Sequence, residues 1–328
     1  MSTGLLLGKF APLHRGHQLL IETALAENDR VLAMIYHAPD VTQVPLPVRA
    51  GWIRALYPQV EVIKAWDGPL QVSNDPDIRR QHERYILARL GGRRVDAFYS
   101  SEFYGEHVSQ ALGAIDRRID PGRARVPISA TAIRSAPYQH REFLEPLVYR
   151  DLITRVVLLG APSTGKSTLA EALAARHNTR WMPEYGRAYW ELHQHERRLS
   201  PAQLVEIAEG HREREDHLAE QANRFLFVDT DASTTRIFAQ HYHGSALPRL
   251  DQLVAECAQR YALVFLCEDD IPYADTWDRS GPGNRRQMQA QIKADLARRK
   301  RSYQSLRGSL EQRMDQVDRV LARFLESS

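Results

Sequence analysis

Short apolar runs alternate with longer amphipathic stretches along most of the chain. The apolar runs predict strands at residues 4–7, 30–36, 60–64, 95–100, 154–160, 225–229 and 263–267. The amphipathic stretches predict helices over about 16–27, 77–90, 167–176, 201–223, 285–301 and 309–325. This alternation is typical of α/β domains in which helices cover mostly parallel sheets.

The middle of the chain predicts a boundary between two domains. Residues 135–150 carry two prolines and mixed charge without a clean strand pattern, and a new strand–helix unit starts directly afterwards. A chain of 328 residues is also long enough to bury two hydrophobic cores. We therefore expect an α/β protein of two domains, residues 1–147 and 148–328, both with mostly parallel sheets.

The first candidate site follows the first predicted strand, where the sequence GKFAPLHRGH at residues 8–17 leads into a helix. Unpaired N–H groups at a helix N-terminus attract phosphate, and glycines let it approach the backbone closely. The two histidines are three residues apart and can face the same group. A surface pair or a partial zinc site is the competing interpretation. The candidate residues are Gly8, Lys9, Phe10, His14, Gly16 and His17.

A second segment, ISATAIR at residues 128–134, supplies two hydroxyls and a guanidinium where a short helix is expected to begin. Together the two segments resemble the HxGH and ISxTxxR signatures of the nucleotidyltransferase superfamily, which implies a Rossmann-like domain that transfers AMP or CMP. In that superfamily the acceptor attacks the α-phosphorus in line and pyrophosphate leaves. The resemblance implies that His17 stabilises the transition state. It also implies that the triphosphate of ATP is bound by Lys9, His14, His17, Ser129, Thr131 and Arg134.

The second candidate site is a P-loop at residues 160–168, GAPSTGKST, which fits the pattern G-x-x-x-x-G-K-[ST]. An apolar strand precedes it and a helix follows, the arrangement that lets backbone N–H groups surround the β-phosphate of ATP. Lys166 is expected to reach the β- and γ-phosphates, and the Ser167 hydroxyl to bind Mg²⁺. The strand FLFVD ends in Asp229, a second candidate metal ligand. The other candidate ATP-binding residues of the loop are Gly160, Ser163, Thr164, Gly165 and Thr168.

Two further segments indicate how a P-loop kinase would hold and enclose its substrates. Glu184 follows a short apolar stretch, where nucleoside kinases place a strand whose terminal carboxylate faces the acceptor hydroxyl. It is therefore the candidate general base, although it could instead only pair with Arg187. In a Gly- and Arg-rich loop further along, Arg279 is the candidate lid residue that acts on the γ-phosphate. Its rivals are Arg285 and Arg286.

The order of these motifs along nearly the whole chain resembles the NadR family, which joins a nicotinamide-nucleotide adenylyltransferase to a ribosylnicotinamide kinase. The resemblance implies that a C-terminal P-loop kinase converts nicotinamide riboside and ATP to nicotinamide mononucleotide (NMN). It implies further that the N-terminal transferase converts NMN and ATP to NAD. Substrate-binding roles are implied for Ser101, Tyr104, Tyr185, Arg187 and Asp231.

Two departures from the family pattern are visible. The first predicted strand begins by Gly4, which leaves no room for the N-terminal helix-turn-helix of some members, so DNA binding is not expected. Ala132 stands where a lysine is expected, which would weaken ATP binding without abolishing activity, because an exposed charge contact contributes about 1 kcal/mol. A different phosphorylated acceptor and a nucleotide sensor with degenerate sites both stay open as alternatives.

Composition indicates which binding partners and which cellular compartment to expect. The 44 basic and 41 acidic side chains nearly cancel, so we expect small-molecule substrates and no nucleic-acid partner. The two cysteines, Cys257 and Cys267, lack metal-ligand spacing and are expected to be reduced core thiols. No apolar stretch reaches the roughly 20 residues of a membrane span, and no targeting segment is recognised. A cytoplasmic enzyme is expected, and a homo-oligomer is compatible with the sequence.

Overall fold

The computed structural model describes residues 1–71, 75–102, 104–195, 198–273 and 281–326. The chain divides into two compact units, Met1–Leu152 and Ile153–Ser328. The division lies five residues beyond the expected boundary at 147/148, because the last short helix of the first half packs into the first unit. Val148 and Tyr149 are buried there, and Asp151 accepts a hydrogen bond of 2.8 Å from the Trp52 indole.

The first unit is built on a five-stranded parallel sheet in the order β3-β2-β1-β4-β5. Its strands are β1 (Thr3–Gly8), β2 (Arg30–Tyr36), β3 (Glu61–Ala65), β4 (Ala97–Ser100) and β5 (Ile115–Arg118). Its helices are α1 (Arg15–Glu27), α2 (Leu46–Leu56), α3 (Pro76–Leu90), α4 (Gly105–Leu112), α5 (Ala130–Ser135) and α6 (Pro146–Arg150), with a 3-10 turn at Arg141–Phe143. The strand order reverses between β1 and β4, and parallel α/β sheets bind ligands at the carboxyl ends of strands beside such a switch.

The second unit is built on another five-stranded parallel sheet, in the order β10-β9-β6-β8-β7. Its strands are β6 (Thr154–Leu159), β7 (Arg180–Met182), β8 (Phe225–Asp229), β9 (Leu263–Cys267) and β10 (Gln304–Leu306). Its helices are α7 (Lys166–Arg176), α8 (Tyr185–His193), α9 (Pro201–Ala219), α10 (Ala232–His243), α11 (Pro248–Arg260), α12 (Gly281–Arg298) and α13 (Leu310–Glu326). Strand β6 lies at the centre, so the loop that follows it emerges in the middle of one sheet edge.

The central strands are continuous apolar runs because helices cover both faces of each sheet. All five residues of β8 are buried, and five of the six in β6. Helix ends carry ordinary signals: Ser200 and Gln203 form a capping box at the start of α9, and Gly91 ends α3 in the left-handed region at φ 60°. None of the helices in the described ranges is long and apolar enough to span a membrane.

The predicted central strands are confirmed, and the differences lie in two edge strands and in the helices. Strand β5 (IDRR) was not predicted because three of its four residues are charged, and β10 was missed because it is only three residues long. Both are edge strands, which need one apolar face at most. The helix predicted over 201–223 ends at Ala219. The sequence pattern did not predict helices α2, α4, α6, α8, α10 and α11.

Candidate active sites

The first candidate site is organised by a histidine capping box at the start of α1. His14 is the N-cap residue, and its Nδ1 atom accepts a hydrogen bond of 3.1 Å from the Gly16 N–H. The His17 Nδ1 atom in turn accepts from the His14 N–H at 3.4 Å, and the two ring centroids lie 3.9 Å apart. Two imidazoles thus do what Ser and Glu do in an ordinary capping box.

This arrangement sets the tautomer and the charge of both rings. Because each Nδ1 atom accepts a hydrogen bond, the ring proton of the neutral form lies on Nε2. Burial, with a smaller contribution from Arg123, lowers the pKa of His14 to about 4. Burial and the neighbouring His14 likewise hold the pKa of His17 well below its usual value. At neutral pH both rings are therefore uncharged, and the Nε2–H group of His14 is a donor suited to a phosphate oxygen. The His17 ring also makes a hydrogen bond to the Pro12 backbone, which acts against the lowering of its pKa.

The glycines of this loop make room for its own side chains. A Cβ atom at Gly16 would lie 2.9 Å from Cε1 of His14, so only glycine lets the imidazole lie on the first turn of α1. A Cβ atom at Gly8 would lie 3.1 Å from the ring of Phe10, which is buried. Close approach of phosphate to these glycines stays a prediction.

Arg134 joins the two sequence segments of the first site. Its Nη1 atom donates to the Ala11 carbonyl at 2.6 Å, across 123 residues of sequence, and its Nη2 atom donates to the Thr131 hydroxyl at 3.1 Å. Ser129 is the N-cap of α5 and accepts from the Ala132 N–H at 3.1 Å. The structure thus brings the hydroxyls and guanidinium of the second segment against the histidine loop.

Two arginines that the sequence reasoning missed support the same loop. Arg49 is 1% exposed, and its guanidinium donates to the backbone carbonyls of Lys9, Tyr36 and Val44. It therefore holds the backbone of the loop at Lys9, whose own ammonium lies 3.8 Å from Asp40. Arg123 lies close enough to both histidines to lower their pKa values. Neither arginine belongs to a sequence motif.

The predicted mononucleotide residues Ser101 and Tyr104 lie just beyond β4, the strand next to β1 in the sheet. Ser101 is partly exposed, whereas the ring of Tyr104 packs against the hydrophobic core that contains Tyr36. Burial raises the pKa of Tyr104 well above its usual range, so its hydroxyl stays protonated. The structure therefore places both residues at the sheet edge that carries the histidine loop.

The P-loop backbone is shaped by positive φ angles. Gly160, Ser163 and Gly165 have φ values of 147°, 65° and 81°. A Cβ atom at Gly160 would lie 2.7 Å from both the Cys267 carbonyl and the Thr164 hydroxyl, so no other residue fits there. Helix α7 begins directly after Gly165 without a side-chain cap. The N–H groups of its first turn are therefore left for a ligand.

The side chains of the P-loop divide into ligand-facing and supporting groups. The Thr164 hydroxyl is fully buried and donates to the Ala161 carbonyl at 2.8 Å, so only its backbone can face a nucleotide. Lys166 Nζ donates to the same carbonyl at 3.1 Å. Ser163, Lys166, Ser167 and Thr168 line a cavity of about 710 Å³.

Ser167 and Asp229 fit a magnesium ion. The Ser167 hydroxyl donates to Oδ2 of Asp229 at 2.5 Å, and the buried Oδ1 atom of that carboxylate has no hydrogen-bond partner among the described residues. A buried carboxylate oxygen without a partner is costly, and hydroxyl and carboxylate oxygens are the ligands that Mg²⁺ prefers. The described residues contain no group of three or more His, Cys, Asp or Glu side chains that could hold a metal ion. The pair would therefore hold the ion together with nucleotide phosphates.

Two buried side chains from distant helices clamp the P-loop. Gln289 of α12 accepts from the Ala161 N–H at 2.8 Å and donates to the Cys267 carbonyl at 3.1 Å. Arg313 of α13 donates to the Thr164 carbonyl at 2.6 Å and to the Glu268 carbonyl at 3.1 Å. The sequence reasoning missed both, because a single Gln or Arg in a polar helix carries no motif.

The cavity beside the P-loop also contains most of the predicted acceptor residues. Glu184, Arg187 and Asp231 line it. Asp231 is also the N-cap of α10 and accepts from the Ser233 N–H at 2.9 Å. Tyr185 is not among the lining residues: its ring lies 3.8 Å from the Arg214 guanidinium carbon. The sequence reasoning missed other cavity residues, among them Trp190, His211, Thr234 and Phe238.

The predicted lid residue Arg279 lies outside the described residues. Of its rivals, Arg285 lines the cavity, is 7% exposed and donates through both Nη atoms to the Ile271 carbonyl at 3.0 Å. Arg286 is exposed. Of the two rivals, Arg285 is therefore the one that lines the cavity beside the P-loop.

Comparison with known proteins relates this geometry to a family. A family described as an AAA domain matches residues 155–313, which contain the P-loop and its clamps. The trifunctional NAD biosynthesis/regulator protein NadR of Escherichia coli (strain K12) is 30% identical over 292 residues, which cover 82% of this chain and 70% of that protein. The chain belongs to the NadR family. The NadR protein of Salmonella typhimurium (strain LT2) is 29% identical over 287 residues, with the same coverage of 82% and 70%.

Two solved NadR structures have the same fold. A NadR protein in complex with NR superimposes with a TM-score of 0.60 at 22% identity, over 93% of this chain and 88% of that one. A NadR protein in complex with NAD and AMP-PNP gives a TM-score of 0.59 at 22% identity, over 97% and 95%. The likeness extends over nearly the whole chain, so both units have counterparts in the NadR fold.

Proposed function

We propose that this NadR-family chain makes NAD from nicotinamide riboside in two ATP-dependent steps. The second unit, a P-loop kinase, phosphorylates the riboside to NMN. The first unit, a Rossmann-like nucleotidyltransferase, adenylylates NMN to NAD and releases pyrophosphate. The observation that supports the proposal is that two separately built loops, each a candidate phosphate site, occur in a family whose named members are NAD biosynthesis proteins.

In the kinase step, the 5′-hydroxyl of the riboside attacks the γ-phosphorus of ATP, and the bond from that phosphorus to the β–γ bridging oxygen breaks. The P-loop amides and Lys166 bind the phosphates, and Ser167 and Asp229 would hold Mg²⁺, which neutralises charge on them when bound. A neutral hydroxyl must lose its proton, so a base is required. Glu184 lines the cavity at the start of α8 and is the residue proposed for this role.

In the adenylylation step, a phosphate oxygen of NMN attacks the α-phosphorus of ATP and the bond to pyrophosphate breaks. The attacking oxygen is already anionic, so no protein base is needed. The Nε2–H groups of His14 and His17 donate to phosphate oxygens as charge shifts to the leaving group. Lys9, Arg134 and the hydroxyls of Ser129 and Thr131 supply the remaining donors. Most of the catalysis is therefore positioning and charge stabilisation.

The proposal is tested by giving the purified chain nicotinamide riboside, ATP and Mg²⁺ and identifying the products by mass spectrometry. NMN, NAD, ADP and pyrophosphate are expected. A panel of other nucleosides and of phosphorylated acceptors is assayed in parallel. Turnover of a panel compound in place of the riboside or of NMN would contradict the proposed substrates. If the chain turns over none of the compounds, the proposal that it is an enzyme is contradicted.

A further inference from the structure

One buried histidine of the kinase cavity has no role in the steps above. His211 of α9 lines the cavity beside the P-loop and is only 6% exposed. Its Nε2 atom is buried without a hydrogen-bond partner among the described residues. The hydroxyl of Thr234 on α10, 5% exposed and lining the same cavity, is also buried without a partner in that part of the chain.

The surroundings of His211 argue against a purely structural role. Helix α9 contributes Leu204, Ile207, Ala208 and His211 to the cavity lining, and these lie on one helix face. Of these four residues, His211 alone is polar. Buried polar groups that serve packing are normally hydrogen-bonded, and leaving one unpaired costs free energy. A ligand that pairs with Nε2 would regain that free energy.

The charge of His211 indicates what kind of group it binds. Burial lowers its pKa to about 4, although the carboxylates of Asp231 and Asp229 raise it and Arg260 and Arg214 lower it further. At neutral pH the ring is uncharged, with one nitrogen that donates and one that accepts. An uncharged imidazole and a threonine hydroxyl are complementary to a hydroxyl group, which also donates and accepts.

We propose that His211 and Thr234 form a subsite that binds a 2′- or 3′-hydroxyl of the pentose of the acceptor. The inference rests on the proposed function, because it names the sugar contact of the same kinase site. His211 and Thr234 line the same cavity as Lys166 and Ser167 of the P-loop, and the pentose must sit in that cavity for its 5′-oxygen to react. Trp190, Phe238 and Tyr242 supply the aromatic lining that a flat base requires.

Three variants and two substrate analogues test the subsite. His211→Phe removes the hydrogen-bonding nitrogens and keeps a ring, and Thr234→Val removes a hydroxyl at nearly constant volume. Each is expected to raise KM for the riboside about 10- to 10²-fold, with KM for ATP unchanged and kcat changed by less than about 3-fold. His211→Gln, which keeps a polar group near the Nε2 position, is expected to recover part of the loss. His217→Phe, an exposed position on the same helix, is the matched control and is expected to behave like the wild type.

The 2′-deoxy and 3′-deoxy ribosides locate the contact. One of them is expected to lose about 10- to 10²-fold in kcat/KM with the wild type and to lose nothing further with His211→Phe. An unchanged KM in both His211→Phe and Thr234→Val would overturn the subsite, as would equal losses for the deoxy analogues in wild type and variant. Because the hydroxyl of Thr234 has no hydrogen-bond partner among the described residues, its removal breaks no bond there, and Thr234→Val remains informative if His211→Phe fails to fold. If the wild type does not phosphorylate the riboside at all, the proposed function fails, and the subsite fails with it.

Discussion

In each unit a loop connects a central strand to the N-terminus of a helix. The two loops present different chemical groups to a phosphate. At α1 the imidazoles of His14 and His17 cap the helix and take up the N–H groups of Gly16 and His14. In the proposed adenylylation, the phosphate contacts at this helix are made by the Nε2–H groups of the rings. At α7 no side chain caps the helix, and the P-loop keeps its backbone N–H groups for the ligand. We therefore propose that the capping state of each helix decides whether backbone N–H groups or side chains bind the phosphate.

The two sites also differ in the acceptor that each must activate. In the proposed reactions the transferase acceptor is a phosphate oxyanion, whereas the kinase acceptor is a neutral hydroxyl. Only the second needs a base, and the second unit places Glu184 in the lining of its cavity. Substitutions of the proposed base, of an imidazole and of a P-loop clamp, together with a pH profile, test the difference between the two sites.

The largest effect is expected from Glu184→Gln, which keeps the shape of the side chain and removes its basicity. It should lower kcat for riboside phosphorylation by roughly 10²- to 10⁴-fold with KM for ATP nearly unchanged. Steady-state kinetics at several Mg²⁺ concentrations measure this. Glu191→Gln changes another carboxylate that lines the same cavity and serves as the matched control. A near-normal kcat, or recovery at high Mg²⁺, would contradict Glu184 as the general base and make Asp229 or Asp231 the better candidate.

The next effect is expected from His17→Ala in the first unit. Loss of a preorganised donor should slow NAD formation from NMN by about 10²- to 10³-fold, because the Nε2–H group can no longer stabilise charge in the transition state. Riboside phosphorylation by the same variant is the internal control and should not change. An unaltered rate of NAD formation would exclude His17 from the chemistry.

A smaller effect is expected from Arg313→Met, which removes the guanidinium that holds the Thr164 carbonyl. A displaced P-loop should lower kcat/KM for riboside phosphorylation by about 10- to 10²-fold, because the N–H groups no longer converge on one phosphate. NAD formation from NMN should stay the same. Arg319→Met, on the exposed side of the same helix, is the control. Equal kinetics for the two variants would remove Arg313 from any role in positioning the loop.

The smallest effect is expected from pH on the transferase. With the pKa of His14 at about 4 and that of His17 also lowered, kcat/KM for NMN should show no acid limb from these rings between about pH 8 and 5.5. In the unfolded chain the imidazoles have the usual pKa of about 6.5, so below that pH they bind protons that the buried, neutral rings do not bind. The contribution of these buried rings to the free energy of unfolding is therefore complete above about pH 6.5. It is lost as pH falls from about 6.5 towards 4. A transferase inflection near pH 6.5 that disappears in His14→Gln would contradict neutral, buried rings.

Contiguous motifs explain why much of both sites could be predicted from the sequence. A loop between a strand and a helix keeps its neighbours in space, so GKFAPLHRGH and GAPSTGKST locate two sites without knowledge of the fold. The clamps could not be found in this way. Arg313 contacts Thr164 across 149 residues, and nothing in its helix separates it from the other arginines of that surface. Arg49 and Gln289 are likewise defined by burial and by carbonyl partners, which only tertiary structure supplies.

Helix phase explains why Tyr185, a predicted substrate-binding residue, is not among the residues that line the cavity. Glu184, Arg187 and Trp190 recur every three residues and face the cavity. Tyr185 and Tyr189 lie on another side of α8, with ring centroids 5.8 Å apart, and Tyr185 packs toward α9. The role of this segment in binding the acceptor stays a prediction, and the start of α8 and hence its phase were not predicted. His211 was missed for a similar reason: its helix α9 was predicted, but the face of that helix that is buried was not.

The most direct test of two separate ATP sites is a mixing experiment with nicotinamide riboside, ATP and Mg²⁺. Lys166→Ala alone should form no NAD from the riboside but should form it from added NMN, because its transferase site is intact. His17→Ala alone should accumulate NMN. Mixed in one tube, the two variants should restore NAD, since NMN released by one is used by the other. A mixture that forms no NAD, or a Lys166→Ala variant that makes NAD from the riboside unaided, would contradict the account.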